Sequence, residues 1–481
     1  MEPEARPRKQ EKRRVLPARI VFSFGVATLF FIGLLLLMPE GIPWAARATI
    51  SVMVFGVILW ALEPIPLGMT SVLTLVILLL SNAVPIDIVL SGFASPAVFL
   101  IIAGMMMAQG ISHTPLMNRV TYALLARWGN SAKGTFLGLF FLMQMQAFFI
   151  PATAVRVTLV MPIVLAVIAA VQAKKESNFS KLMLIGTAFA GNISGTAILT
   201  AAIGNILAIE ILQLYVGETL SYFDWFLYAF PIWFLLMIVT PFILWRCFPP
   251  ENYSFETFRQ QMEAKNADLG AFSRSEKKCV GILSLTVLLW VTQPLHGYHP
   301  TLPALLAVVL MAFPGVGFVD WKKLVKVNFD LVLLVGATLS LGYALIESGA
   351  IDLLAVLFSH EWVLQAFREP WLAILLVILI SQIYHLGVTN VSTAVVTLLP
   401  VLIGLSTEVG LDPVVISYAA AVTLLFGNIL VVETMPNVIA HGTGLIEQKE
   451  FYRPGIWATA ATTIITLLVA YTWWKWLGFW P

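Results

Sequence analysis

Two stretches decide the fold: QMQAFFIPATAVRVTLVMP at residues 144–162 and QIYHLGVTNVSTAVVTLLP at residues 382–400. Each opens on a glutamine and closes on a proline, and the spacing from Gln144 to Pro162 is the same as that from Gln382 to Pro400. Both interrupt an apolar run, at 133–172 and 370–408, with residues that break or decorate a helix. Pro151, Ala152 and Thr153 do so in the first run, and Gly387, Val388, Thr389 and Asn390 in the second. A bilayer-spanning helix needs about 20 apolar residues, and each half of either run is shorter. The pattern therefore predicts two re-entrant hairpins whose tips stop inside the membrane.

The repetition extends outward from the hairpins. Asn205-Ile-Leu-Ala follows the first hairpin much as Asn437-Val-Ile-Ala follows the second. Upstream, Trp60-Ala-Leu-Glu63-Pro64 is matched in the second half by Trp290-Val-Thr-Gln293-Pro294. The chain has 481 residues, 59% of them hydrophobic and 11% charged. Soluble domains are nearer one quarter charged, so the sequence predicts an all-α polytopic membrane protein. About 11 spans are expected between residues 19 and 478, plus the two hairpins.

Lysine and arginine set the expected orientation, because cytoplasmic loops carry their excess. With the N-terminus inside and the hairpins not crossing, 24 of the 28 basic residues fall inside. Arg47, Arg368 and Lys475 fall outside, and Arg156 lies in a hairpin. The C-terminus is then outside, in a bacterial-type inner (cell) membrane. Each copy holds an odd number of spans, so the copies are upside down relative to each other, which is the inverted-repeat plan of secondary transporters. The expected division is a basic tail at 1–18, a first transmembrane helix at 19–44, repeat 1 at 45–247, a cytoplasmic loop at 248–278 and repeat 2 at 279–481.

Several function classes are excluded early. Neither long polar segment, 1–18 or 248–278, is large enough to be a nucleotide-driven motor or a nucleic-acid reader, and the Gly129 to Gly134 cluster lacks the ending of a phosphate loop. Cys247 and Cys279 form no metal-spaced cluster. An intramembrane enzyme would need a paired catalytic set, and no HExxH or Ser/His dyad is present. The basic N-terminus precedes an apolar run too long for a signal peptide, so that run reads as a helix. The tryptophans at 473, 474, 476 and 480 read as an interfacial belt.

The sequence resembles the divalent anion/sodium symporter family, the di- and tricarboxylate and sulfate carriers. The resemblance rests on Trp60 to Pro66, on the closing Gly442-Thr443-Gly444, on the hairpin tips and on Thr434-Met435-Pro436-Asn437. It implies a homodimeric carrier of small anions with no organic cofactor, in which tips and broken helices bind the substrate and sodium. Carried over by position, the resemblance gives Thr153, Asn205, Asn390, Ser392, Thr434, Pro436 and Asn437 as substrate-binding residues. A one-residue slip at the second tip would put Thr389 and Asn390 on the motif instead. Asn390 and Thr434 are the candidate sodium ligands, in the second half only, because the first half reads Ala152-Thr153-Ala154 and Ala202-Ile203-Gly204 where oxygen ligands are expected.

Two charges stand beside those losses. A charge at membrane depth costs at least about 2.5–3.5 kcal/mol and marks a pathway. Arg156 is expected to supply the fixed positive partner of the anion, since a guanidinium matches a carboxylate or sulfate fork. Glu433 is expected to balance Arg156 or to carry a proton. The chain thus reads as a secondary transporter of small oxyanions, first di- or tricarboxylates and next sulfate-type anions. Na+ or H+ would be the coupling ion, or the carrier would exchange one anion for another.

Overall fold

The computed structural model describes residues 17–480 apart from Pro151, Thr219, 351–352, 354–360 and Thr389. Most of the basic tail, the proline of the first tip and Thr389 therefore lie outside the described residues. Among those described, every regular element is a helix. That is the economical solution for an apolar chain, because in hydrocarbon each backbone N–H and C=O needs a partner within the protein.

Eight described helices are long and apolar enough to cross a membrane, or nine if the bent pair Ile86–Ala94 and Pro96–Ser112 is one span. Three of the eight are hairpin arms, Thr153–Ala170, Pro370–Gly387 and Val391–Glu408. At 18 residues each they reach about 27 Å, within the length of under about 20 residues expected for each half. The apolar stretches 180–213 and 413–445 are each divided. Asn178–Ser194 and Ile203–Val216 are separated by an unwound segment, and so are Pro413–Leu424 and Met435–Gly442. We call these segments break 1 and break 2.

The packing exchanges partners between the halves. Ile203–Val216, which follows break 1, packs on the second hairpin's Val391–Glu408. Met435–Gly442, which follows break 2, packs on the first hairpin's Thr153–Ala170 and on Asn178–Ser194. Gly204 makes the first contact close, since a Cβ there would come within 2.8 Å of a Val391 methyl carbon.

The loop at 248–278 is more ordered than its polarity suggested. It contains the helix Glu256–Asp268, which buries Phe258 and Met262 and packs on the amphipathic Leu116–Trp128. Arg119 pairs with Glu276 at 2.7 Å and also donates to the carbonyls of Leu269, Gly270 and Ala271. Glu251 accepts from the N–H groups of Asn178 and Phe179. Partial burial pushes the Glu251 carboxyl up, but its own backbone N–H, those of Asn178 and Phe179 and the Tyr253 side chain together outweigh it and hold the group below its usual value. Lys181 meets Glu450 at 3.0 Å, and Lys278 donates to Gly315 and Gly317. The basic segments assigned to one side of the bilayer thus touch one another.

The C-terminal tryptophans differ from the expected belt. Only Trp476 is openly exposed, at 74%, while Trp474 and Trp480 are buried. Their role comes from the helix Tyr222–Cys247, which contains Pro231. A proline has no N–H, so the carbonyl four residues earlier loses its helical donor. That carbonyl belongs to Leu227, and the Trp473 indole N–H donates to it at 2.9 Å. The neighbouring Trp474 donates to Tyr228 at 3.0 Å. A π-helical turn, Ala470–Trp474, presents both indoles to the same partner helix. Replacing Trp473 by Phe should lower stability by about 1–3 kcal/mol, the cost of an unmet buried acceptor, read as a fall in the thermal midpoint in detergent. An unchanged midpoint would show that the Leu227 carbonyl finds another donor.

Candidate substrate site

Both hairpin tips and both breaks converge on one cavity of about 130 Å³. Tip 1 contributes Ala152, Thr153 and Ala154, and tip 2 contributes Asn390, Val391 and Ser392. Break 1 contributes Ala202, Ile203 and Gly204, and break 2 contributes Thr434, Met435 and Pro436. Asn192, at the end of Asn178–Ser194, completes the polar lining. Among the described residues, no lining side chain is charged.

The positive character comes from the backbone. Four helices begin at this cavity, at Thr153, Ile203, Val391 and Met435. A helix N-terminus carries unpaired N–H groups and about half a positive charge, which favours carboxylate or sulfate oxygens. The two halves use these termini differently. In the second half, Asn390 caps its helix by accepting from Ser392 N at 2.8 Å, and Thr434 caps its own by accepting from Asn437 N at 3.4 Å. In the first half the corresponding caps are Ala152 and Ala202, whose methyl groups accept nothing. The first-half termini are therefore open to a ligand, whereas the second half offers amide and hydroxyl side chains.

The breaks themselves are closed by one device used twice. The Asn205 amide donates to the carbonyls of Gly195 at 2.7 Å and Ile198 at 3.1 Å. The Asn437 amide donates to the carbonyls of Gly427 at 2.9 Å and Leu430 at 3.0 Å. A single offset along the chain carries Gly195 to Gly427, Ile198 to Leu430 and Asn205 to Asn437. Both asparagines are buried behind the cavity wall rather than in it.

The charged residues also lie behind the wall. Arg156 is fully buried, and its guanidinium is spent on protein oxygens. Nε donates to Ser194 Oγ at 3.1 Å, Nη1 to the carbonyls of Ile150 at 2.6 Å and Ala201 at 2.8 Å, and Nη2 to Thr153 Oγ1 at 3.3 Å and Ser194 Oγ at 2.9 Å. It does not line the cavity, contrary to the expected direct contact with an anion. Glu433 accepts from the N–H groups of Ile429 at 3.1 Å and Leu430 at 3.0 Å, so its carboxylate braces break 2. Among the described residues Arg156 and Glu433 form no ion pair, because each is turned to the unwound backbone of its own half. His385 is buried against Gly427, whose missing Cβ leaves room for it beside Glu433.

Asn192 and Ser194 were not singled out by sequence. Asn192 donates to Gly427 O at 3.1 Å, joining the helix before break 1 to break 2. The signal was available in Gly191-Asn192-Ile193-Ser194, two polar side chains inside an apolar helix. The two expected sodium ligands, Asn390 and Thr434, both line the cavity. Asn390 and Thr434 retain acceptor capacity, and the buried Thr393 hydroxyl has no partner.

The sodium:sulfate symporter transmembrane region, as a family model, matches residues 20–480. The chain belongs to the sodium:sulfate symporter family. It is 25% identical over 467 residues to the sodium-dependent dicarboxylate transporter SdcS of Staphylococcus saprophyticus, covering 92% of this chain and 89% of that one. A membrane protein of Cupriavidus necator is 25% identical over 476 residues, covering 95% and 92%. Among solved structures, Neisseria gonorrhoeae MtrF, described with a class of antimetabolite efflux pumps, aligns with a TM-score of 0.54 at 10% identity over 93% of this chain and 96% of that one. That likeness is one of fold alone. Members of the sodium:sulfate symporter family are transporters, and this chain is a transporter rather than an enzyme.

Asn205→Ala should remove the side-chain donor to the Gly195 and Ile198 carbonyls, and Asn437→Ala that to Leu430 while Gly427 keeps the Asn192 amide, so each should lower stability, by about 1–3 kcal/mol at most. Thermal unfolding in detergent measures both. A fall for only one of them would mean that the two breaks are not held alike.

Proposed function

We propose that this protein carries small dianions, dicarboxylates first and sulfate-type oxyanions second, by alternating access across the cell membrane. The observation that carries this reading is the convergence of four helix N-termini on one cavity with no charged lining side chain among the described residues. An anion's two charged ends would meet the open termini at Thr153 and Ile203 on one side. On the other they would meet Asn390, Ser392 and Thr434. Asn192 and Pro436 complete the wall, and Thr389 adjoins Asn390 in the sequence of the same tip. In this reading the two halves form an inverted repeat, the tips re-enter, the basic segments face the cytoplasm and the carrier is a homodimer.

Coupling follows from charge. Moving one charge across about 100 mV involves about 2.3 kcal/mol, so importing a dianion against an inside-negative potential costs about 4.6 kcal/mol. The relatives named sodium-dependent support sodium as the coupling ion, and in this reading Asn390 and Thr434, which both line the cavity, are its ligands. One such site carries one charge. The reading is therefore exchange of like-charged anions, or symport with at most one sodium. Glu433 offsets the charge of Arg156 across the two halves without touching it.

Uptake of labelled succinate, citrate and sulfate into proteoliposomes, with sodium, pH and internal anion varied separately, tests this reading. Internal anion should raise uptake strongly, and the sodium dependence should have a Hill slope near one. Accumulation into empty vesicles with a slope above about two would overturn the single-site reading. Asn390→Ala and Thr434→Ala should weaken binding about tenfold or more, with His385→Ala milder.

Topology is tested separately, in a background lacking Cys247 and Cys279. Single cysteines at Asn266 and Lys323 should react with an impermeant maleimide only from inside, and those at Asp87 and Glu361 only from outside. Labelling of Asn266 and Asp87 from one face would remove the inverted repeat.

A further inference from the structure

We propose that Glu210 is a proton site that latches the moving part of the carrier to its fixed part, and that a proton arriving from the outer face releases it. Glu210 is on Ile203–Val216, the helix that begins at the substrate cavity. It is 9% exposed and lines a second cavity, of about 60 Å³, together with Leu199, Gln293, His299 and Pro300. Its carboxylate accepts from the hydroxyl of Ser95, at the bend between Ile86–Ala94 and Pro96–Ser112. Among the described residues it has no cationic partner.

Ser95 stands on the other side of a boundary. The tips and breaks pack on one another, Ile203–Val216 on Val391–Glu408 and Met435–Gly442 on Thr153–Ala170. Pro96–Ser112 packs instead on Thr301–Ala312, which packs in turn on Arg274–Val291. The bend is fastened on both sides, since the Thr301 hydroxyl donates to the Pro96 carbonyl at 2.9 Å and the Ser340 hydroxyl accepts from the Gly92 N–H at 3.1 Å. Alternating access requires the bundle that carries the substrate cavity to shift against the rest, and the bond between Glu210 and Ser95 must break when it does. A hydrogen bond to an ionised carboxylate is roughly twice as strong as a neutral one, so a proton added to Glu210 weakens the latch. The Tyr222 N–H also crosses the boundary, to Gln293 Oε1 at 2.7 Å, but neither of those groups titrates.

The proton has a way in. Arg274–Val291 separates the loop at 248–278 from the loop that holds His299, so the second loop is at the outer end in the reading above. His299 is exposed at the cavity mouth, with Nδ1 2.9 Å from Thr301 Oγ1. A cavity of this size, lined by a carboxylate, an amide and an imidazole, has room and partners for water. Of the helices packed on Ile203–Val216, Phe329–Glu347 brings Tyr343 within electrostatic reach of Glu210. Among the described residues, break 1, Pro96–Ser112, Val391–Glu408 and Pro413–Leu424 bring no titratable side chain to the cavity lining. The register that aligns Asn205 with Asn437 aligns Glu210 with Gly442, so the second half has no counterpart and the latch acts at one end only.

This inference rests on the transport reading for its meaning, but its first test uses no substrate. Spin labels are placed on cysteines at Lys175, beyond the first hairpin, and Lys277, at the start of Arg274–Val291, in a background lacking Cys247 and Cys279. The distance between them is measured by pulsed electron resonance from mildly acid to mildly alkaline pH. Wild type should show one distance at alkaline pH and gain a second population as the pH falls. Glu210→Gln should show the second population throughout, with no response to pH. Ser95→Ala should show it already at alkaline pH, and it decides the matter if Glu210→Gln cannot be purified. A wild-type distribution that ignores pH, a response that survives Glu210→Gln, or wild-type behaviour of Ser95→Ala would overturn the proposal.

Exchange of labelled sulfate, whose charge does not change over that range, is the second arm. Lowering the outer pH at fixed inner pH should speed exchange several-fold in wild type and leave Glu210→Gln unaffected. An equal response in both would overturn the latch. Should wild type transport no anion of the panel while the distances still follow pH through Glu210, the transport reading fails and the proton site stands.

Discussion

Unwound backbone in a membrane is the constraint on which the rest of this structure depends. A buried peptide group without a partner costs several kcal/mol in hydrocarbon, and each broken helix exposes a short run of them. Here the donors and acceptors come from side chains placed for the purpose. Asn205 and Asn437 close the carbonyls, Glu433 closes N–H groups of break 2, and Arg156 draws the carbonyls of Ile150 and Ala201 together. The cavity exists because its walls are braced from behind. Charged residues that look like ligands in the sequence are the braces.

The two halves use one backbone plan with opposite chemistry at the front. Alanines at 152 and 202 leave helix termini open, whereas Asn390 and Thr434 cap theirs. In the transport reading proposed above, the first half would meet the anion with main-chain N–H groups that no motif spells out, and the second half with side chains.

The architecture was legible because hydrophobic length and paired breakers are linear properties of the chain. Gln144 to Pro162 and Gln382 to Pro400 announced both hairpins, and Asn205 and Asn437 both breaks. Thr153, Asn390, Ser392, Thr434 and Pro436, which the family resemblance carried over to the tips and breaks, all line the cavity. Arg156 and Glu433 were harder, since burial cost marks a residue as important without saying which way it points. Arg156 is one turn beyond the tip, close enough to bond Thr153 yet turned to the backbone behind it. Asn192 was missed because its value lies in contacts 235 residues away. The tryptophans were misread because a belt and a set of indole donors look identical in composition.

Pro231 and Trp473 have a consequence for the order of events at the ribosome. The carbonyl of Leu227 and the indole that meets it are 246 residues apart. At about 5–20 residues per second of synthesis, the proline-bearing helix waits some tens of seconds for its donor. During that interval the freed carbonyl needs water, lipid headgroup or insertion machinery. The final helix is thus a late closing piece for a gap made near the middle of the chain. A nascent protein halted before residue 473 would hold a helix that the bilayer alone does not satisfy.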